Sequence, residues 1–189
     1  MKLRVRSYGP GSMAVLECKR RVSDVIDKTR ATVDRKDVER AAAGGVDLGP
    51  HQPETGRFLN DFARHVACAG AEPTLLIRYQ REAWVSEFDH YARVTFDRSI
   101  EACRTREWNL DSKQEGWVSF DDSWERSESR RSVVVELKCQ AQVPWWMTAL
   151  IQKYSLDRQS FSKYSIGIHL TGVAQGQDLM GRRSARWMQ

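Results

Sequence analysis

The sequence predicts an α+β fold dominated by an antiparallel sheet. Three observations carry that reading: several segments alternate charged and apolar residues with period two, two others repeat apolar residues at three- and four-residue steps, and the turns joining the alternating segments are short. The 189 residues suffice for one domain with a core, and 41% of them are hydrophobic, including seven Trp, six Phe and five Tyr. A disordered polyelectrolyte lacks the apolar surface to offset chain entropy, so this composition excludes one.

Lys2 to Tyr8 alternates and breaks at Gly9-Pro10-Gly11, and the alternation resumes from Met13 to Arg20, which predicts a β-hairpin. Val22 to Val33 continues as a third strand. Asp34 is placed to N-cap a short helix through Val38 and Ala42, stopped by Gly44-Gly45. After a loop over Val46 to Pro53, Phe58, Leu59, Phe62 and Val66 form one apolar stripe on a helix from Glu54 to Cys68, ended before Gly70 and Pro73. Leu75 to Trp84 and Tyr91 to Ile100 predict two antiparallel strands joined by a polar turn, and Ser132 to Gln140 a third. The insert Arg104 to Arg131 predicts a weak hairpin with mobile ends. Pro144 suits the first turn of a helix to about Tyr154, with Trp146, Leu150 and Tyr154 on one side. Beyond Leu170 the pattern fades, so a single domain over 1–189 is expected to end in a flexible tail over 171–189.

No uncharged apolar run approaches the roughly 20 residues of a membrane helix, and Met1 to Arg6 holds no signal-peptide core, which predicts a cytoplasmic protein. Cys18, Cys68, Cys103 and Cys139 stand far apart without a C-x-x-C pair, which argues against disulfides and thiolate zinc. Lys and Arg total 30 against 25 Asp and Glu, a net +5, and 22 of the 30 cations are Arg. Arginine grips phosphate through two parallel hydrogen bonds, so a phosphate-rich ligand is suggested, although a GC-rich coding sequence accounts for the ratio equally well.

The placement of charge within strands is more informative. In Arg4-Val5-Arg6, Glu17-Cys18-Lys19, Arg93-Val94-Thr95-Phe96-Asp97 and Glu136-Leu137-Lys138 the charges take every second position, so one sheet face is apolar and the other ionic. Two arrangements satisfy this: an open sheet whose charged face meets water, or a closed barrel whose charged lumen needs a polyanion and a divalent cation.

Six motifs in fixed order bear on the choice: Leu3-Arg4-Val5-Arg6-Ser7-Tyr8-Gly9, Leu16-Glu17-Cys18-Lys19-Arg20, Arg78-Tyr79-Gln80-Arg81, Arg93-Val94-Thr95-Phe96-Asp97, Val135-Glu136-Leu137-Lys138 and Phe161-Ser162-Lys163-Tyr164. Together, from Leu3 to about Leu170, they resemble the VTC-type polyphosphate polymerase domain of the CYTH or triphosphate tunnel metalloenzyme superfamily. The resemblance implies an antiparallel β-barrel, a tunnel with a polar lumen flanked by helices, in which the γ-phosphoryl group of ATP passes to a growing polyphosphate chain. It implies phosphate-binding, catalytic roles for Arg4, Arg6, Lys19, Arg81, Arg93, Lys138 and Lys163, hydroxyl donors in Tyr79 and Ser162, and metal ligands in Glu136 and, more weakly, Glu17. The implied cofactor is Mn²⁺ or Mg²⁺. The implied partners are ATP and polyphosphate or triphosphate, with a membrane protein as a candidate receiver of the polymer and no specific nucleic acid.

Family members carry further strands before the position of Arg4, so with Met1 just ahead of it either the true start lies further upstream or the chain lacks its leading strands. Ser160 stands where some members have another Lys. Three function classes follow: a metal-dependent polyphosphate polymerase, a tripolyphosphatase on the same tunnel, or a non-catalytic polyphosphate or nucleic-acid binding module. Among the remaining residues, Lys28 and Arg30 fit either a lumen or a solvated face. The tryptophans, Trp145 and Trp146 included, read as core or interface, and Arg20-Arg21, Arg130-Arg131 and Arg182-Arg183 as solvated charge. Cys18 and Cys139 read as buried thiols, and His51, His65, His90 and His169 as surface or helix residues.

Overall fold

The computed structural model describes residues 1–9, 11–23, 25–46, 53–88, 92–110, 115–121, 133–140 and 142–173. The chain divides into two compact units, Met1–Thr74 with Thr105–Lys113 and Leu75–Arg104 with Gln114–Gln189.

In the first unit, strands β1 (Lys2–Ser7), β2 (Met13–Val22) and β3 (Val25–Asp34) form an antiparallel sheet in the order β1-β2-β3. The expected hairpin is present, with Gly9 at φ 59° in the turn, where a side chain would be strained. β2 runs two residues further than its alternation suggested, and β3 begins three residues later. A 3₁₀ turn (Arg35–Asp37) and helix α1 (Val38–Ala42) follow. Asp34 stands at the N-cap of the 3₁₀ turn, but its side chain makes no capping bond. The helix ends as expected: Gly44 takes φ 78°, and the Gly45 N–H donates to the Arg40 carbonyl at 2.8 Å.

Helix α2 (Pro53–Ala69) lays its stripe on the sheet. Leu59 and Phe62 join Ala14, Leu16, Ala31, Val33, Val38, Ala41 and Ala42 in one core, with Phe58 and Val66 at its edge. Trp108 closes it with an edge-on contact to Phe62 at 6.3 Å, and the Leu110 carbonyl accepts from Arg35 at 2.6 Å. Part of the segment read as a weak hairpin thus serves as a strap on the first core.

In the second unit, β4 (Leu75–Val85) and β5 (Arg93–Arg104) pair antiparallel, and β5 also pairs with β6 (Val118–Ser119) and β7 (Val134–Lys138) along its other edge. β5 outlasts its expected end at Ile100 because it crosses a bulge: between Gln80 and Arg78, β4 advances two residues while β5 advances three, from Arg98 to Glu101. Ser99, inside the bulge, takes φ 50°. The extra residue resets the side-chain parity, so Asp97 and the later Ile100 and Ala102 all face the same helix.

That helix is α4 (Lys163–Leu170), which the sequence reading did not find. Tyr164, Ile166, Ile168 and Leu170 alternate with period two, which hides a helix. Ile166 and Leu170 pack with Leu75, Ile77, Ile100, Ala102 and Phe120. Gly167 permits the close approach, since a Cβ there would stand 2.5 Å from Leu75 Cδ2 and 3.1 Å from Ala102 Cβ. Helix α3 (Trp145–Lys153) starts where expected, with Pro144 as its N-cap, but it buries Met147 and leaves Trp145 81% exposed, which rules out the core half of the core-or-interface reading of Trp145.

Among the described residues the strand pairings make two antiparallel sheets, and no closed barrel is found in them. No helix among those residues is long and apolar enough to cross a membrane. The expected polar turn at Glu87 and Asp89, the ends of the 104–131 insert and the tail from 174 onward fall wholly or partly outside the described residues.

Candidate functional site

Each sheet has one charged face, and each charged face is organised around one buried carboxylate. In the first sheet, Leu3, Val5, Ala14, Leu16, Cys18, Ala31 and Val33 turn to one side, which sends Lys2, Arg4, Arg6, Glu17, Lys19, Lys28 and Arg30 to the other. Lys2, Lys19 and Lys28 occupy a single rung across three strands, and Arg4, Glu17 and Arg30 the next. Six cations therefore share these rungs and their neighbour with one carboxylate. Like charges directly opposite each other are destabilising. Burial lowers the pKa of Lys2, and the charges of Arg4 and Lys19 push it the same way.

Glu17 is the counter-ion of this face. It is 2% exposed; Arg4 donates from Nε at 2.9 Å and also from Nη2, Arg6 Nη2 lies at 3.3 Å and Lys28 Nζ at 3.0 Å. Burial works to raise its pKa, but the hydrogen bonds from Arg4 and Lys28 and the charges of Arg4 and Arg6 outweigh it and hold it at about 2. Lys28, for which a solvated face was equally expected, is part of this cluster. Arg6 Nε is buried without a partner among the described residues.

In the second sheet the same pattern spans three rungs: Arg81, Asp97 and Val134; Ala83, Thr95 and Glu136; Val85, Arg93 and Lys138. Asp97 is 1% exposed and accepts from Arg81 Nε at 2.6 Å and Nη2 at 2.7 Å, while Lys163 Nζ reaches it at 2.6 Å from the first residue of α4. Burial opposes ionisation of Asp97, and the bonds from Arg81 and Lys163 reverse that and lower its pKa. The hydrogen bonds to Asp97 raise the pKa of Arg81. Tyr79 lies under both cations, with Lys163 Nζ 4.9 Å and the Arg81 guanidinium 5.3 Å from its ring centre. Glu136 pairs with Lys138 at 2.9 Å and lies 3.8 Å from Arg81; these cations lower its pKa against the effect of burial.

A family model described as the VTC domain matches residues 1–171 of the 189. The chain belongs to the VTC domain family. No curated protein matches it. Membership points to a polyphosphate-related function for this VTC domain.

Of the residues the sequence singled out, Arg4, Arg6, Glu17 and Lys19 share the face of the first sheet, and Tyr79, Arg81, Arg93, Glu136, Lys138 and Lys163 that of the second. Ser162 is the N-cap of α4, its Oγ accepting from the Ser165 N–H at 3.2 Å. Arg78, quoted in a motif but given no role, bonds Glu101 at 2.6 Å and stacks on Trp117. The sequence reading missed Asp97 as a site residue. It sits at the end of the Arg93-Val94-Thr95-Phe96-Asp97 alternation, in phase with Arg93, and that phase was the available signal.

The four cysteines are free: Cys18 and Cys103 are buried, Cys139 is half-buried and Cys68 exposed. His65 lies on α2 and His169 on α4, and His51 and His90 lie outside the described residues. Among the described residues no group of three or more His, Cys, Asp or Glu could hold a metal by itself. A divalent cation bound mainly by phosphate oxygens and water needs only one or two carboxylates. Both candidate carboxylates are paired with cations, but the Glu136 side chain is 41% exposed and that of Glu17 only 2%, so Glu136 is the more accessible of the two.

Proposed function

We propose that this VTC domain is a metal-dependent polyphosphate polymerase, transferring the γ-phosphoryl group of ATP onto the end of a polyphosphate chain. The observation that supports it most is the rung Lys2, Lys19, Lys28, three like charges side by side with Arg4, Arg6 and Arg30 around them and one carboxylate among them. Such a face is stabilised by an extended polyanion, whose repeated charges match cations on successive strands. The closed tunnel implied by the family resemblance is part of this reading.

Phosphoryl transfer leaves little covalent work to the protein and depends on positioning and charge neutralisation. The bond between the γ-phosphorus and the β,γ-bridging oxygen breaks, a terminal phosphate oxygen of the chain forms the new bond, and ADP leaves. In this reading Arg4, Arg6, Lys19, Arg81, Arg93, Lys138 and Lys163 hold non-reacting phosphate oxygens. Tyr79 and Ser162 donate from their hydroxyls. Glu136 holds Mn²⁺ or Mg²⁺, with Glu17 as the second candidate ligand; the ion, when bound, neutralises charge on the phosphates.

The test is incubation of the protein with ATP and Mn²⁺, read as a polyphosphate ladder on a gel, beside Glu136→Ala. The expected result is a ladder from the parent that the variant does not make. Equal signals from both proteins would remove the reading. Phosphate release from tripolyphosphate without chain growth would assign a phosphatase, and salt-sensitive binding without turnover a binding module.

A further inference from the structure

The middle rung of the second sheet's charged face, Ala83, Thr95 and Glu136, holds a polar group that no described protein atom satisfies. Thr95 is 1% exposed, and its Oγ1 is buried without a hydrogen-bond partner. Two residues earlier on the same face, Arg93 Nε is buried and unpartnered as well. Buried hydroxyls and guanidinium N–H groups are nearly always paired, because leaving one unmade forfeits the hydration it had in the unfolded chain. Two orphaned donors on one strand, with three further cations, Arg81, Lys138 and Lys163, around them, mark a place shaped for an acceptor that is anionic.

The surroundings fit an entering ligand. On the β4 side the rung ends in Ala83, which is exposed and contributes only a methyl group. On the β7 side stand Glu136 and, one rung on, Lys138, whose side chain is 50% exposed and pairs with Glu136 at 2.9 Å. Arg81 and Lys163 are both bonded to Asp97 on the neighbouring rung, and Arg81 Nη2 comes no nearer than 3.8 Å to Glu136.

We propose that Thr95 Oγ1 and Arg93 Nε together donate to one non-bridging oxygen of a bound triphosphate chain, which makes Thr95 a substrate-binding residue. The inference rests on the polyphosphate reading above and adds to it the floor of the site, a neutral donor among charged ones. No bond is made or broken at Thr95, and its hydroxyl proton stays on the oxygen.

The experiment compares the full chain with Thr95→Val and Thr95→Ser by calorimetric titration with tripolyphosphate and by thermal melting without ligand. Valine keeps the shape and removes a donor that is unpaired in the free protein, so Thr95→Val should melt at or about 2 °C above the parent. Its tripolyphosphate affinity should fall about tenfold, the loss expected for one hydrogen bond to a charged group, while Thr95→Ser should stay within about threefold of the parent. Should Thr95→Val not fold, Thr95→Ala gives the same affinity comparison. Unchanged affinity in the variants lacking the hydroxyl would overturn the inference alone. So would a melting point several degrees lower in Thr95→Val but not in Thr95→Ser, since the hydroxyl would then be paired within the fold. A parent protein that binds no tripolyphosphate would overturn this inference together with the reading beneath it.

Discussion

Arg81 grips Asp97 through two parallel hydrogen bonds, at 2.6 and 2.7 Å, and Asp97 in turn receives Lys163 from the start of α4 at 2.6 Å. One buried carboxylate thus fixes two cations that arrive from different elements. Replacing it with a neutral isostere leaves both without their anchor. Asp97→Asn should destabilise the protein by about 2–4 kcal/mol, a little under the roughly 3–5 kcal/mol for breaking a fully buried pair, because Arg81 and Lys163 keep partial access to water. Urea unfolding of the variant beside the parent checks this, and an unchanged midpoint would show that the cluster carries no net stability.

Glu17 links stability to acid. Its pKa of about 2 in the folded protein lies below the ordinary value of 4.5, so the group stabilises the fold above about pH 4.5 and loses that contribution as pH falls toward 2. The contribution is on the order of 3 kcal/mol. Glu17→Gln should be less stable than the parent at pH 7, and its stability should fall less steeply between pH 5 and pH 2. Chemical denaturation at stepped pH measures both, and parallel curves would refute the assignment.

Gly167 sets the distance of α4 from the sheet. A Cβ at this position would meet Leu75 Cδ2 at 2.5 Å and Ala102 Cβ at 3.1 Å, and the Ala102 methyl cannot turn aside. Gly167→Val should cost about 2–3 kcal/mol by overpacking, despite the better helix propensity of valine. Because Lys163 begins the same helix, the variant should also bind tripolyphosphate more weakly. A stable variant with full affinity would separate the helix from the site.

Ser162 caps α4 through the Ser165 N–H at 3.2 Å. Ser162→Ala should lose about 1 kcal/mol, the usual worth of an N-cap hydroxyl. In the polymerase reading it should also weaken phosphate binding, which Ser162→Asp would not restore. Asp is as good a cap but sets a negative charge against the phosphate, so the pair of variants distinguishes capping from substrate contact.

The alternation of Arg4-Val5-Arg6, Glu17-Cys18-Lys19 and Glu136-Leu137-Lys138 determined on its own that these charges share faces, because period two leaves a strand residue no other choice. The stripe Phe58, Leu59, Phe62, Val66 determined α2 in the same way. Register was not legible. That Lys2, Lys19 and Lys28 share one rung, and that Lys28 reaches Glu17, depends on turn lengths the pattern does not fix.

The second unit shows more clearly where local reading ends. The bulge at Ser99 shifts parity by one residue, so only the folded chain puts Asp97 and Ala102 under the same helix. That helix, with its period-two residues and central glycine, is stabilised by packing on Leu75, Ile100 and Ala102 rather than by its own amphipathic pattern. The sequence by itself determined which residues are charged together. The tertiary structure decided which carboxylate holds them, because that choice depends on contacts between residues dozens of positions apart, such as Asp97 and Lys163.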